Sequence, residues 1–454
     1  MIYFYQKIQE ISRIKNEICI KLLFNKKTIG MNILVLGGGG REHAICWAIA
    51  KDSNQNKIFI APGNSGTASL GENVELNPED FPAIEKFVLQ SKIELVIVGP
   101  EAPIVKGIYD FFKANKKLKD VLILSPSKEG SLLEGSKEYA KKFMIKHNIP
   151  TAAYQSFTKD EYNKSKKYLD EHKIPVVVKA DGLAAGKGVT VAESKEQALK
   201  ALDELFLDDR FGEAGEKVVI EEFLDGIEVS IFVLTDGNNY IIFPEAKDYK
   251  RIGDGDTGPN TGGMGAISPV PFATEEFLTT VKTKIIEPTI VGLKKDKIDY
   301  KGFVYFGLMN VNGNPYVIEY NVRLGDPEAE VILPRIDENI LPLLIDAAKG
   351  ELKSKKIQFI QDYSATLMLV SGGYPGSYEK GKVITGFEKV KDSILFHAGA
   401  KAEGDKIFSS GGRVLGITSL AKTLTEAIQL SLKNAENISF EKKNYRRDIG
   451  KDLM

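Results

Sequence analysis

From Met31 onward, short apolar runs alternate with amphipathic stretches. NILVLG, KIFIAPG, ELVIVGPE and VLILSP each set an apolar run before turn residues, and HAICWAIAKD reads as a helix between the first two. Strands alternating with helices predict a parallel, doubly wound sheet, here an N-terminal α/β domain over residues 31–133. Residues 134–354 follow a different, α+β pattern, rich in adjacent strands: IPVVVKADGLAAGKGVTVAES, KVVIEEFLDGIEVSIFVLTDG and FVYFGLMNVNGNPYVIEYNVR. Asn312–Gly313 between two apolar runs predicts a hairpin. Ser194 and Gln197 have capping-box spacing ahead of a helix. The intervening DYKRIGDGDTGPNTGGMGAISP is too glycine-rich to expect regular structure, and loops of that length in a compact domain are functional or disordered. Residues 355–454 predict a small C-terminal α/β domain. SATLMLVSGGYPG, ILFHAGAK and RVLGITS are strand-like, and a Thr423/Glu426 capping box precedes Leu424, Ile428, Ser431, Leu432 and Ala435 at helical spacing.

Residues 1–30 have neither a clean apolar core nor a small-residue cleavage site. Glu10 and Glu17 argue against a transit peptide. The segment reads as a dispensable extension, with a targeting segment as the other reading.

Composition narrows the function classes. Of 454 residues, 43% are apolar and 27% charged, with a formal net charge of −1. Recognition by phosphate neutralisation usually leaves a basic excess, so nucleic acid is not expected as a partner. No apolar run reaches the ~18 residues of a membrane helix. Two cysteines, Cys19 and Cys46, without a Cys-x-x-Cys, argue against a disulfide framework and fit a reducing, cytoplasmic setting.

Three constellations carry chemistry. In YVIEYNVR, Glu319, Asn321 and Arg323 stand two apart, which puts them on one face of a strand. A carboxylate and an amide are hard oxygen donors suited to Mg²⁺, and the guanidinium beyond them can neutralise a transferring phosphoryl group. A salt-bridged strand face is the plainer explanation. In VVVKADGLAAGKGV, Lys179 ends a strand and a glycine loop follows. The spacing is not that of a P-loop, but small residues let backbone N–H groups close over phosphates while Lys179 and Lys187 supply charge. In LGGGGREH, glycines follow a strand and open a helix, where N–H groups favour a phosphate. Glu42 stands where a dinucleotide fingerprint needs its third glycine, and KIFIAPG ends without a ribose-binding acid, so a small phosphorylated ligand is favoured over NAD. Asn64, Gly66, Thr67 and Glu101 follow the next strands.

In that order, the strand lysine, glycine loop, hinge acids in IEEFLDG and E-x-N-x-R strand resemble the ATP-grasp superfamily. GGREHA, APGNSGT, VGPEAPIV, LEGSK, VKADGLAAGKGV, DTGPNTGGMGA, GDPE, GGYPG, FHAGAK, GGRVL and RRDIG narrow the resemblance to the phosphoribosylamine–glycine ligase family, across about residues 31–450. The resemblance implies a central ATP-grasp domain with a mobile subdomain at about 150–222. It implies ATP, glycine and 5-phosphoribosylamine as substrates, Mg²⁺ or Mn²⁺ as cofactor, and a monomer. Lys137, Lys179, Gly182, Gly186, Lys187 and Gly188 would meet the ATP phosphates. Glu221, Glu222, Phe223 and Leu224 would hold adenine, and Glu228 the ribose. Glu319 and Asn321 would bind the metal. Arg323 and Lys179 would be catalytic. Gly39, Gly40, Arg41, Glu42, His43, Asn64, Gly66, Thr67 and Glu101 would hold phosphoribosylamine. Asp256, Thr261, Gly262, Arg323, Gly325 and Asp326 would face glycine and its acyl phosphate.

The sequence departs from that family's usual pattern at Gly38, Leu324 and Glu330, all beside the expected site. The competing readings are a bicarbonate-using ATP-grasp ligase, a nucleotide-binding oxidoreductase and an inactive scaffold.

Overall fold

The first domain's strands are apolar along nearly their whole length, as strands buried on both faces must be. In the computed structural model, β1 (Asn32–Gly37), β2 (Lys57–Pro62), β3 (Glu72–Asn73), β4 (Leu95–Val98) and β5 (Leu122–Leu124) lie parallel in the order β3-β2-β1-β4-β5. Leu34, Leu36, Val96 and Val98 enter one core, while Ile33, Val35, Leu95 and Ile97 enter the other. The order reverses at β1, so a crevice opens beyond the carboxyl ends of β1 and β4. Helix α1 (Gly40–Ala50) starts at that crevice. The structure describes residues 30–51, 55–184, 188–207 and 215–454; Gly186, Lys187 and nearly all of the N-terminal extension lie outside the described residues.

Two antiparallel sheets make up the central region. β6 (Tyr154–Thr158), β7 (Val176–Ala180), β8 (Val189–Ala192) and β9 (Lys217–Glu222) pair in the order β6-β9-β7-β8. They have a core of their own, including Phe157, Val178, Leu202, Phe206 and Ile220. β10 (Ile227–Thr235), β11 (Tyr240–Ile242), β12 (Gly302–Val311) and β13 (Asn314–Asn321) pair as β11-β10-β12-β13. Asn312 (φ 50°) and Gly313 (φ 84°) both take the left-handed conformation that a two-residue hairpin needs. Ser194 caps its helix by accepting from the Gln197 backbone N–H at 3.2 Å.

The polar loop corrects its expectation. It holds short strands at Lys247–Asp248, Arg251–Gly253, Thr257–Asn260 and Gly265–Ser268. Two of these form a hairpin. The other two complete a sheet with Tyr363–Val370, Arg413–Ala421 and Ile394–His397 from the C-terminal region. Composition misleads here because the order comes from backbone pairing to a distant strand rather than from side-chain periodicity. The Thr423/Glu426 capping box forms as read and opens the helix Leu424–Asn437.

Candidate active site

β13 does not run as a regular strand. Glu319 pairs with Gly307 and Val317 with Leu308, which leaves Ile318 as an extra, bulged residue. The bulge presents the Ile318 carbonyl to Lys179, whose Nζ donates to it at 3.2 Å. Gly307 leaves room for the partner side chain, since a Cβ there would lie 2.8 Å from Glu319 Cγ. The strand ends at Asn321, and Arg323 stands just beyond it. Arg323 Nη2 donates to Asn321 Oδ1 at 3.0 Å and to Glu134 Oε1 at 2.9 Å. The three spaced residues therefore meet in one place, on the wall of a pocket of about 770 Å³ that Lys137, Lys179, Gly182, Gly188 and Glu221 also line.

The pocket's charges come from two directions. Ser136 caps the helix Lys137–Lys146, which aims Lys137 and Lys141, one turn apart, into the cavity. Lys137 Nζ donates to the Gly182 carbonyl at 3.1 Å, at the foot of the glycine loop. Lys179 and Lys141 each pair with one oxygen of the buried Glu221 at 3.0 Å. The Glu221 side chain is thus committed to the two lysines. Phe223 is 37% exposed beside it. Glu222 Oε1 accepts from the Ala153 backbone N–H, tying the hinge to the incoming strand. Glu228 pairs with Lys250 at 2.8 Å, and Lys250 lies 3.8 Å from Glu319.

Electrostatics favour an ionised Glu319. Burial pushes its pKa up, but Lys250, Lys179, Lys137 and Arg323 together hold it below the usual carboxylate range. Burial pulls the Lys137 ammonium down, with Lys179 adding to the effect. Burial raises the Glu134 carboxyl against the pull of Arg323. Among the described residues, no cluster of three His, Cys, Asp or Glu side chains could hold a metal by itself. Glu319 and Asn321 supply oxygen donors of the kind that would suit a hard divalent cation.

The second half of the site lies at the crevice beyond β1. Gly39 and Gly40 open α1 there, and Arg41 Nη1 donates to the Leu324 carbonyl at 3.3 Å. Glu101, at the end of β4, lies 3.6 Å from Arg323 Nε. Burial works against the Glu101 carboxylate, but Arg323 and Arg41 outweigh it and keep its pKa low. Asp326 is likewise held low, with Arg413, Arg41 and Arg323 overcoming burial. This crevice and the pocket meet at Arg323.

Several predicted site residues hold loops with their side chains instead of facing a cavity. Glu42 accepts from the Gly39 N–H at 2.7 Å and from Arg41 Nε at 2.6 Å. His43 Nδ1 accepts from the His397 backbone N–H at 2.8 Å. Asn64 Nδ2 donates to the Gly38 and His397 carbonyls at 3.1 and 2.6 Å, while its Oδ1 receives the Gly66 and Thr67 N–H groups. Thr67 Oγ1 bonds back to the Asn64 carbonyl at 2.9 Å. Asp256 is not brought to the pocket; its exposed carboxylate pairs with Arg446 at 2.6 Å. Thr261 donates to the Lys250 carbonyl at 2.8 Å, and the Gly262 carbonyl accepts from Arg413 Nη1 at 2.7 Å. Gly325 packs directly against Glu328.

The sequence reading missed Glu134, Lys141, Lys250 and Arg413. Glu134 and Arg413 stood inside quoted motifs, LEGSK and GGRVL. Lys141 was signalled only by its one-turn spacing from Lys137. Arg413 reaches the site from the C-terminal region, 2.7 Å from the Asp326 carbonyl and 3.0 Å from Asp326 Oδ1.

Three family models match in chain order. Phosphoribosylglycinamide synthetase N domain covers residues 31–134, its ATP-grasp (A) domain 135–329 and its C domain 364–452. The phosphoribosylamine–glycine ligase of Chlorobaculum tepidum is 44% identical over 92% of this chain and 99% of its own length. That of Pasteurella multocida is 45% identical over 92% and 97%. The crystal structure of phosphoribosylamine–glycine ligase from Thermotoga maritima superposes with a TM-score of 0.80 at 36% identity, covering 92% of this chain and all of that one. The biotin carboxylase domain of Hydrogenobacter thermophilus 2-oxoglutarate carboxylase, at 17% identity and a TM-score of 0.69 over 92% of each chain, shares the fold alone.

Proposed function

The chain belongs to the phosphoribosylglycinamide synthetase family, and from that premise we propose the reaction and the role of each residue. The enzyme is a phosphoribosylamine–glycine ligase. It joins glycine to 5-phosphoribosylamine with ATP, giving glycinamide ribonucleotide, ADP and phosphate, a step of purine biosynthesis. The observation that carries the reading is the meeting of pocket and crevice at Arg323, which contacts Asn321 and Glu134 on one side and approaches Glu101 on the other.

A carboxylate is a poor electrophile until one of its oxygens becomes a leaving group. The glycine carboxylate oxygen attacks the γ-phosphorus and ADP departs. The amine nitrogen of phosphoribosylamine then attacks the acyl carbon and phosphate departs. Lys137, Lys179 and the Gly182–Gly188 loop hold the phosphates. The backbone of Glu221–Leu224 holds adenine, and Glu228 the ribose. Glu319 and Asn321 hold Mg²⁺ or Mn²⁺, which neutralises phosphate charge when bound. Arg323, beside Asp326, faces glycine and neutralises the oxygens of its acyl phosphate. Gly39, Gly40, Arg41, Gly66 and Glu101 line the phosphoribosylamine site, with Gly40 offering its N–H at the start of α1. Enclosure keeps water from the acyl phosphate, and the adjoining crevice delivers the amine by proximity. The proposal is completed by a cytoplasmic monomer.

The test is ADP release by the purified chain with Mg²⁺, ATP and glycine, with and without phosphoribosylamine formed in place from ribose 5-phosphate and ammonia. Release that needs both substrates is the expected result. Release supported by bicarbonate in place of glycine would move the chain to a sister ligase activity.

A further inference from the structure

Lys141 is a buried lysine in the nucleotide pocket to which no role has been given. It is 1% exposed. Its Nζ lies 3.0 Å from Glu221 Oε2, and it donates to Thr151 Oγ1 at 2.8 Å and to the Ala152 carbonyl at 3.1 Å. The other oxygen of Glu221 is taken by Lys179, which also donates to the Ile318 carbonyl. We propose that Lys141 is a positioning residue for the nucleotide: by occupying one oxygen of Glu221 it leaves Lys179 with an N–H free to meet a phosphate.

An ammonium has three N–H donors. With Lys141 in place, Lys179 uses one on Glu221 Oε1 and one on Ile318, and the third has no partner among the described residues. Without Lys141, Glu221 Oε2 is a buried carboxylate oxygen lacking its partner, which is costly to leave. Lys179 is then the nearest cation able to serve both oxygens, and it turns from the phosphate toward the carboxylate. Lys141 also joins the two chain crossings into the β6–β9 sheet. It holds Thr151 and Ala152 on the way in and Glu221 on the way out, while Thr151 Oγ1 donates to the Val317 carbonyl of β13 at 2.7 Å. Its loss would loosen the glycine loop's sheet relative to the strand that carries Glu319.

This inference rests on the ligase reading for its substrates, but its test reads nucleotide affinity directly. Lys141→Met is titrated with MgADP, and its KM values for ATP and glycine are measured. MgADP affinity should fall, and KM for ATP rise, at least tenfold, while KM for glycine stays within twofold of wild type. In a Glu221→Gln background the Lys141→Met effect should shrink to less than threefold, because the orphaned charge is gone. MgADP affinity within twofold of wild type, or an undiminished loss in the Glu221→Gln background, overturns the proposal. If Lys141→Met does not fold, Lys141→Arg is compared with wild type across pH. Burial, with Lys179 adding to it and Glu221 and Glu222 opposing, lowers the Lys141 pKa to about 8. Tyr154 faces it from β6, and Lys137 and Glu319 share its pocket. Wild-type KM for ATP should therefore rise above pH 8, and the rise should be absent in Lys141→Arg; identical profiles overturn the proposal. If ADP release proves independent of glycine and phosphoribosylamine, the ligase reading fails while the MgADP result still decides the role of Lys141.

Discussion

The nucleotide pocket and the crevice beyond β1 meet at one arginine but are assembled in opposite ways. The pocket has long links too, Lys179 to Ile318 over 139 positions and Arg323 to Glu134 over 189, but the side chains that line it come in local pairs: one turn of helix from Lys137 to Lys141, alternate positions from Glu319 to Asn321. The crevice is stitched from remote segments. Arg41 bonds the Leu324 carbonyl 283 positions away, His43 bonds His397 354 positions away, and Arg413 reaches back to Gly262 over 151 positions. A pocket of local spacings depends on individual side chains. A stitched crevice depends on the domains staying in register.

That contrast is open to direct attack. The largest effect is expected from Glu319→Ala, which removes the carboxylate proposed to hold the metal. Turnover should fall about 10³-fold with the circular dichroism spectrum unchanged; full activity would end the metal assignment. Arg413→Met should come next. It cuts the stitch between Gly262 and Asp326, so kcat/KM for glycine should fall about 100-fold through misplacement, while MgADP affinity stays at the wild-type value. A parallel loss of MgADP affinity would mean that the two halves are not separable.

Acid should weaken the crevice before the pocket. Burial, joined at His43 by the charge of His397, lowers the His43 pKa to about 3, and burial lowers that of His397 to about 4. The unfolded chain therefore takes up more protons once the pH falls below the ordinary histidine value. The stabilisation is complete above about pH 6.5 and is lost progressively toward the two folded values. By pH 5 the cost is about 2 kcal/mol per histidine. Urea unfolding at pH 7 and pH 5 should show it, with a smaller drop in His397→Gln. The smallest effect belongs to the hairpin: Gly313→Ala should cost about 1 kcal/mol at a left-handed position that presents no steric clash.

The same contrast explains what could be read from the chain. The parallel strands, the Asn312–Gly313 turn, the capped helices and the row on β13 each carry their signal within a few residues. The Ile318 bulge does not, because nothing in YVIEYNVR says that Glu319 will face a glycine. The Glu221 carboxylate reads as a hinge acid, and only the fold reveals the two lysines that claim it. Asp256 reads as a site residue because it stands in a motif of the family, whereas its carboxylate pairs with Arg446 near the far end of the chain. Of the strands hidden in the polar loop, Gly265–Ser268 was illegible because its partner, Tyr363–Val370, lies about a hundred positions downstream, and the other three are too short to carry a periodic signal.

That last pairing limits how the molecule can be divided. The strand Gly265–Ser268 sits between Lys247–Asp248 and Tyr363–Val370, so the C-terminal sheet is finished by chain that precedes it. A fragment cut at residue 355 would carry Tyr363–Val370 away with one hydrogen-bonding edge bare, buried apolar residues behind it and no gatekeeping charge within the strand. Such a fragment is a template for self-association. For anyone splitting this protein into halves or grafting its last segment onto another enzyme, the seam has to fall ahead of Ile227, because a cut just before Lys247 would part β10 from β12.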